Sequence, residues 1–231
     1  MMTATVVLVH GSCSTPAAWN RVAPLLEAAG VSSLAVQLPS CLPESDMNDA
    51  DYLRSVLDTC AEPVVLVGHS YGGMVLTEAG DHPSVKHLVY VDATMSDVGE
   101  DMYELLAGNV AEGLVETMRF DGDVSAFDVD VLTRYLRSRG WSADDAAEVS
   151  SGLRPQRGAA SVLKTTVAAW RSVPATFISC DDSEIGGDLP ALFASRASDV
   201  VVLPGDHFPI YQRPSEVSDI IIRIARNAAQ P

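Results

Sequence analysis

Gly68-His69-Ser70-Tyr71-Gly72-Gly73 is the stretch of this chain best suited to chemistry. It follows the apolar run Val64–Val67 and precedes a helix-like segment, so the serine of G-x-S-x-G falls where a strand must turn sharply into a helix. Such a bend makes the serine project. The flanking glycines let neighbouring backbone approach without a Cβ clash, and the helix N-terminus aims N–H groups at developing negative charge. A serine hydroxyl is a weak nucleophile and needs a base. Of the five histidines, His10, His69, His82, His87 and His207, the candidate is His207. It lies in Leu203-Pro204-Gly205-Asp206-His207-Phe208-Pro209, after the last strand-like run, in a loop that returns to the sheet edge carrying Ser70. An oxyanion needs two preorganised donors. The backbone N–H groups of Ser12, after the first strand-like run, and of Tyr71 are the expected pair. His10 is read as a loop-shaping residue that hydrogen-bonds backbone.

These residues need a scaffold. Short β-branched runs alternate with helical segments. The runs are Val6–Val9, Leu34–Leu38, Val64–Val67, His87–Val91, Ala175–Cys180 and Asp199–Leu203. Runs that are apolar throughout imply burial on both faces, as in a parallel sheet. Helices are expected over Pro16–Ala29, Asp46–Thr59, Met74–Gly80 and Ser215–Asn227, the last with Val217, Ile220, Ile221 and Ile224 on one face. The fold class is therefore α/β, a mostly parallel doubly wound sheet, in a single domain over residues 1–231. The alternation breaks between about Asp97 and Ser172. Helical pieces are expected there at Gly99–Ala107, Val110–Met118, Asp128–Arg139, Ala143–Leu153 and Gly158–Trp170, with no strand. The core is thus 1–96 and 173–231, and 97–172 is a helical cap over the strand ends.

Composition narrows the function class. With 15 basic and 31 acidic residues the net charge is −16, which repels nucleic acid and anionic lipid. No apolar run reaches the ~18 residues that span a bilayer, and Met1–His10 does not read as a secretory leader. Cys13, Cys41, Cys60 and Cys180 are scattered, without the spacing of a zinc site or disulfide framework. Free thiols in a reducing cytoplasm are the expectation. The expected partner is a small-molecule substrate, neutral or cationic rather than anionic, with neither nucleic acid nor membrane; a homodimer is left open.

The residues also carry a resemblance. Val7-Leu8-Val9-His10-Gly11, Trp19, the G-x-S-x-G stretch and His207 resemble the α/β-hydrolase superfamily, whose order is Ser…Asp…His. His10-Gly11-Ser12-Cys13, Ala18-Trp19, Leu88-Val89-Tyr90-Val91-Asp92-Ala93 and His207-Phe208-Pro209 with Pro214 look like its small-esterase branch. That branch includes plant methyl esterases and hydroxynitrile lyases. The resemblance implies an eight-stranded core, a helical cap, a serine nucleophile, ester hydrolysis and no cofactor or metal. Hydroxynitrile lyases carry a lysine directly after the catalytic histidine; Phe208 stands there, which argues against cyanohydrin cleavage.

The acid of the triad is the irregular element. The loop after Ala175–Cys180 reads Asp181-Asp182-Ser183-Glu184-Ile185. Related sequences often place the acid directly before such a Glu-Ile pair, which here would put Ser183 in its place. Asp182 is the first choice and Asp181 the second. Asp92, at the end of the preceding core strand, is a further alternative, for which a hydrogen-bonded loop carboxylate is the favoured reading. The acid must accept the Nδ1–H of His207 and stabilise the imidazolium.

Met95, Tyr103 and Trp141 are the candidate substrate-binding residues, with Met102, Phe120 and Trp170 beside them; packing of the cap onto the core competes with that role for each. The function expected is a serine hydrolase that cleaves a carboxylic ester of a small or aromatic substrate through an acyl-enzyme. Two alternatives stand beside it. One is a non-hydrolytic reaction on the same scaffold (lyase, decarboxylase or cyclase), motivated by the irregular acid loop. The other is a catalytically weak ligand-binding protein.

Overall fold

The computed structural model of the chain describes residues 3–60 and 63–230. The first two methionines of the N-terminal stretch lie outside them. Along the chain, β1 (Thr5–Val9) leads through a 3₁₀ turn at Pro16–Trp19 to α1 (Ala23–Ala28), then β2 (Ser33–Val36), α2 (Asp49–Leu57), β3 (Val64–His69), α3 (Gly72–Ala79) and β4 (Val85–Val91). The segment above the core carries α4 (Met102–Leu106), α5 (Glu112–Val115), β5 (Met118–Asp121), β6 (Val124–Phe127), α6 (Val129–Ser138), α7 (Ala143–Ser151) and β7 (Gln156–Arg157). The core resumes with β8 (Ala175–Cys180), α8 (Leu189–Arg196), β9 (Asp199–Leu203), α9 (Pro209–Gln212) and α10 (Pro214–Ala228).

Six strands form one parallel sheet in the order β2-β1-β3-β4-β8-β9. The resemblance implies eight; six are present among the described residues. Alternation along each strand feeds two cores. Val6, Leu8, Val65 and Val67 pack with Trp19, Leu26, Val217 and Ile221 on one face. Val7, Val9, Leu66 and Tyr90 pack with Leu53, Leu57, Met74 and Phe193 on the other. β3 and β8 are buried along their whole length, on both faces, which is why they are mostly apolar. The edge strands β2 and β9 are the ones that leave apolar residues exposed, Leu34, Val200 and Val202.

This topology fixes where a site can form. From β1 the chain winds first to β2 and then back past β1 to β3, so the strand order reverses between β1 and β3. A crevice opens there at the carboxyl ends of the strands. The loops after β1, β3, β4, β8 and β9 all reach that edge.

The cap departs from the expectation of helices alone. Its helices α6 and α7 begin at Asp128 and Ser142, whose side chains accept the N–H groups of Val131 and Asp145. Between α5 and α6, however, lies a β-hairpin, with β7 added to it as a third strand. The hairpin turns through Gly122-Asp123, with Gly122 at φ +57°, the conformation that favours glycine in a tight turn. The expected helix Gly158–Trp170 is two short 3₁₀ turns, Gly158–Ala160 and Ala169–Arg171, with irregular chain between.

Candidate active site

Ser70 lies at the bend between β3 and α3 with φ +53°, a left-handed conformation that is strained for a residue with a side chain. The bend closes tightly because Gly68 and Gly72 have no Cβ. At Gly68 a Cβ would collide with Leu76 and lie 2.7 Å from the Gly72 carbonyl. At Gly72 it would lie 2.6 Å from the carbonyl oxygen of Val9. The elbow thus rests directly on the end of β1, which brings the loop after β1 alongside Ser70.

His207 enters from the loop after β9. Its Nε2 is 2.9 Å from Ser70 Oγ. Its Nδ1 is 2.7 Å from Asp92 Oδ2. A carboxylate only accepts, so Nδ1 carries the proton and Nε2 is left to accept from the Ser70 hydroxyl. The acid against His207 is therefore Asp92, and neither Asp182 nor Asp181. Those two point outward: Asp182 pairs with Arg139 at 2.8 Å, and Asp181 accepts the Gly205 N–H at 2.9 Å. Asp92 itself is buried, with φ +42° at the end of β4. Its Oδ1 accepts the Cys180 N–H at 3.1 Å, and its Oδ2 also accepts the Ser183 hydroxyl at 2.5 Å. The loop-carboxylate reading of Asp92 gives way to direct contact with the imidazole.

Two further carboxylates surround His207. Glu184, 3% exposed, accepts the His207 backbone N–H at 2.8 Å and the Tyr135 hydroxyl at 2.8 Å. Asp206 accepts the Trp141 indole N–H at 2.6 Å and the Phe208 N–H at 3.0 Å. Burial alone pushes the His207 pKa down. The hydrogen bond and charge of Asp92, with Glu184 and Asp206 behind it, outweigh burial and raise it above the ordinary histidine value. His69 donates from Nε2 to the His207 carbonyl at 2.8 Å. Burial, then the neighbouring His207, push the His69 pKa down to about 3. His10 donates from Nδ1 to Gly11 O at 2.9 Å and accepts the Leu38 N–H at 3.1 Å, and burial pushes it down to about 4. It shapes the loop, the role expected for it.

Above Ser70 lies a cavity of about 350 Å³. Its floor includes Ser12, Ser70, Tyr71 and His207, and its walls are cap residues such as Met102, Leu106, Leu114, Phe127 and Leu132. No Asp, Glu, Lys or Arg side chain is among its described lining residues. Among the described residues, neither the Ser12 nor the Tyr71 N–H has a protein acceptor. Tyr103 stands at the cavity, half exposed. Met95 and Trp141 do not line it. Met95 is fully buried in the core cluster that holds Met74 and Phe193, and Trp141 packs edge-on against Phe208 while its indole donates to Asp206. Trp170 does not line it either; its indole donates to the Ser96 carbonyl.

A family model described as alpha/beta hydrolase family matches residues 6–220. The chain belongs to the alpha/beta hydrolase family. This hydrolase is 28% identical over 258 residues to Methylesterase 2 of Arabidopsis thaliana, covering 96% of this chain and 95% of that protein. It is 27% identical over 250 residues to the alpha/beta hydrolase nvfD of Aspergillus novofumigatus (strain IBT 16806), covering 99% and 98%. A pyrethroid hydrolase from Sphingobium faniae JZ-2 superposes with a TM-score of 0.79 at 20% identity, over 97% of this chain and 98% of that one. The methylesterase relatives put the hydrolase in the small-esterase branch, and hydrolase activity is its family-level function.

Glu184 and Asp206 are site residues that no motif in the sequence marks. The available signal was the run of acids in 181–184, but which of them turns inward is set by the tertiary fold. Gln156, whose side chain reaches the loop after β1, was hidden because β7 is only two residues long.

Proposed function

We propose that the protein is a serine esterase that cleaves a neutral, largely apolar carboxylic ester through an acyl-enzyme. The observation that carries this reading is the unbroken hydrogen-bond chain Ser70 Oγ–His207–Asp92 on the floor of an uncharged cavity. His207 Nε2 takes the Ser70 proton as Oγ attacks the ester carbonyl. The carbonyl oxygen becomes the oxyanion and is held by the N–H groups of Ser12 and Tyr71. Asp92 holds the imidazolium in place and offsets its charge. The leaving alcohol departs with the proton from His207. Water, deprotonated by the same nitrogen, then attacks the acyl-enzyme, releasing the acid and restoring Ser70.

The cavity supports the substrate class. An ester carrying a fixed charge would lose its hydration among Leu106, Leu114, Phe127 and Leu132 without meeting a counter-charge. The name of the Arabidopsis relative, a methylesterase, favours a small alcohol as the leaving group and the apolar acyl group in the cap cavity. The irregular acid loop was the motive for a non-hydrolytic reading. With Asp92 bonded to His207 that motive is gone. A pure binder needs neither Ser70 nor a base bonded to it.

The test is hydrolysis of aryl and methyl esters of graded acyl length, together with labelling by a fluorophosphonate. Turnover that depends on Ser70 and His207, an acyl-enzyme burst and modification at Ser70 are expected. Absence of both turnover and Ser70 labelling would sink the proposal.

A further inference from the structure

We propose that Gln156, on the third strand of the cap sheet, is a positioning residue for the Ser12 arm of the oxyanion hole. The inference rests on the esterase reading above. The residue after Ser12 is Cys13, with φ +55°, and a residue with a side chain stays in that region only when its surroundings hold it there. Every polar group of Cys13 is held by the cap. Its N–H donates to Gln156 Oε1 at 2.8 Å, and its carbonyl accepts the Arg154 N–H at 2.8 Å. Its thiol donates to the Ser125 carbonyl at 3.4 Å. Ser125 and Gln156 are themselves paired across β6 and β7. The cap sheet is thus latched onto one strained residue of the loop after β1.

The latch has a defined orientation. Gln156 is buried, and its Nε2 donates to Ser161 Oγ at 3.0 Å, while that hydroxyl donates to the Arg157 carbonyl at 2.8 Å. The amide cannot flip without losing these bonds, so its oxygen stays on the Cys13 N–H. Ser12 N–H is one peptide upstream. If Cys13 relaxes to an ordinary negative φ, the Ser12 peptide turns away from Ser70, and the donor no longer meets the oxyanion. Such a loss falls on the transition state, where the donor bears charge, and spares the bound ester. A Gln156 that merely glued the cap down, or touched substrate directly, would affect ground-state binding or stability instead.

The experiment compares the wild-type chain with Q156M, which keeps the side-chain length but removes the acceptor. Each is assayed with an aryl ester and with two inhibitors of one skeleton. A trifluoromethyl ketone adds Ser70 Oγ to its carbonyl carbon, with the negative charge on the former carbonyl oxygen and the serine proton on His207. The matching plain ketone binds without forming that bond. For Q156M, kcat and trifluoromethyl ketone affinity are expected to fall together by about 10- to 100-fold, with KM and plain-ketone affinity within about twofold. If Q156M does not fold, S161A carries the test; it leaves the amide but frees its orientation, and a smaller loss of the same kind is expected. Unchanged kcat, or equal loss for both ketones, would overturn the inference while leaving the esterase reading intact. A wild-type chain that neither hydrolyses esters nor forms the adduct would overturn both.

Discussion

Asp92 Oδ2 accepts from His207 Nδ1 at 2.7 Å and from Ser183 Oγ at 2.5 Å. Ser183 stands directly before Glu184-Ile185, where the resemblance leads one to expect the acid, and it donates to an acid supplied by another strand. β4 and β8 are neighbours in the sheet, so their carboxyl ends lie side by side. The end of β4 delivers the carboxylate to His207 Nδ1, and the end of β8 delivers Ser183 to that carboxylate. The Ser183 hydroxyl satisfies one lone pair of the buried Asp92.

D92N tests that arrangement directly. An amide at this position can donate to Nδ1, which favours the wrong imidazole tautomer. A fall in kcat/KM of about 10³- to 10⁴-fold is expected, measured with an aryl ester. D182N and D181N should stay within about twofold, because both carboxylates point away from His207. Equal losses in D182N and D92N would reassign the acid.

Adding S183D to the D92N background moves the acid from the end of β4 to the end of β8. The double variant is expected to recover at least about 10-fold of the kcat/KM lost in D92N, by restoring a carboxylate near Nδ1. In an otherwise wild-type chain, S183D should instead be harmful, because two carboxylates would then share one buried site. No recovery in the double variant would mean that β8 cannot present an acid to His207 in this chain.

The elements that place the site were legible because their signals are local. Val64–Val67, the glycines around Ser70 and the Pro-Gly-Asp-His loop each declare a strand, a bend and a return without reference to the rest of the chain. Helices α6 and α7 were legible as the helical pieces Asp128–Arg139 and Ala143–Leu153, and in the structure Asp128 and Ser142 cap them. The cap hairpin also had a local signal, Gly122-Asp123, a dipeptide turn between two short alternating runs. It was lost among neighbouring residues that fit a helix as well as a strand. The acid had no local signal. Asp92, Asp181 and Asp182 all end parallel strands at the same sheet edge. Only the left-handed bend at Asp92 and the outward pairing of Asp182 with Arg139 separate them, and both are tertiary.

His207 should set the acid limb of the pH–rate profile. Only its neutral form can take the Ser70 proton, and its pKa lies above the ordinary histidine value. kcat/KM is therefore expected to rise with pH through an apparent pKa above 6.5. Glu184 is one source of the upward shift. E184Q keeps an acceptor for the His207 N–H but removes the charge, so the limb should move to lower pH while the plateau changes little. A limb that stays in place would mean that Glu184 serves only to hold the backbone.

His10 and His69 make a separate prediction about stability. Both are buried and neutral in the fold, with pKa values pushed down to about 4 and about 3, against 6.5 for the ordinary side chain. As pH falls below 6.5 the unfolded chain takes up protons that the folded one refuses, so stability present above 6.5 is lost on acidification. Each histidine should cost about 1 kcal/mol over the first pH unit below 6.5. His207 runs the other way: its pKa is raised, so its contribution is complete below 6.5 and fades as pH rises through its folded value. Asp49 and Asp206, pushed up by burial, take up protons in the folded chain before the unfolded one does and so oppose the fall as pH drops through their raised values. Urea unfolding at pH 6.5 and 5.5 measures this. H10Q should be less stable than wild type at pH 7.5 and should lose about 1 kcal/mol less between the two acidic points. An unchanged slope in H10Q would show that His10 is not held neutral by burial.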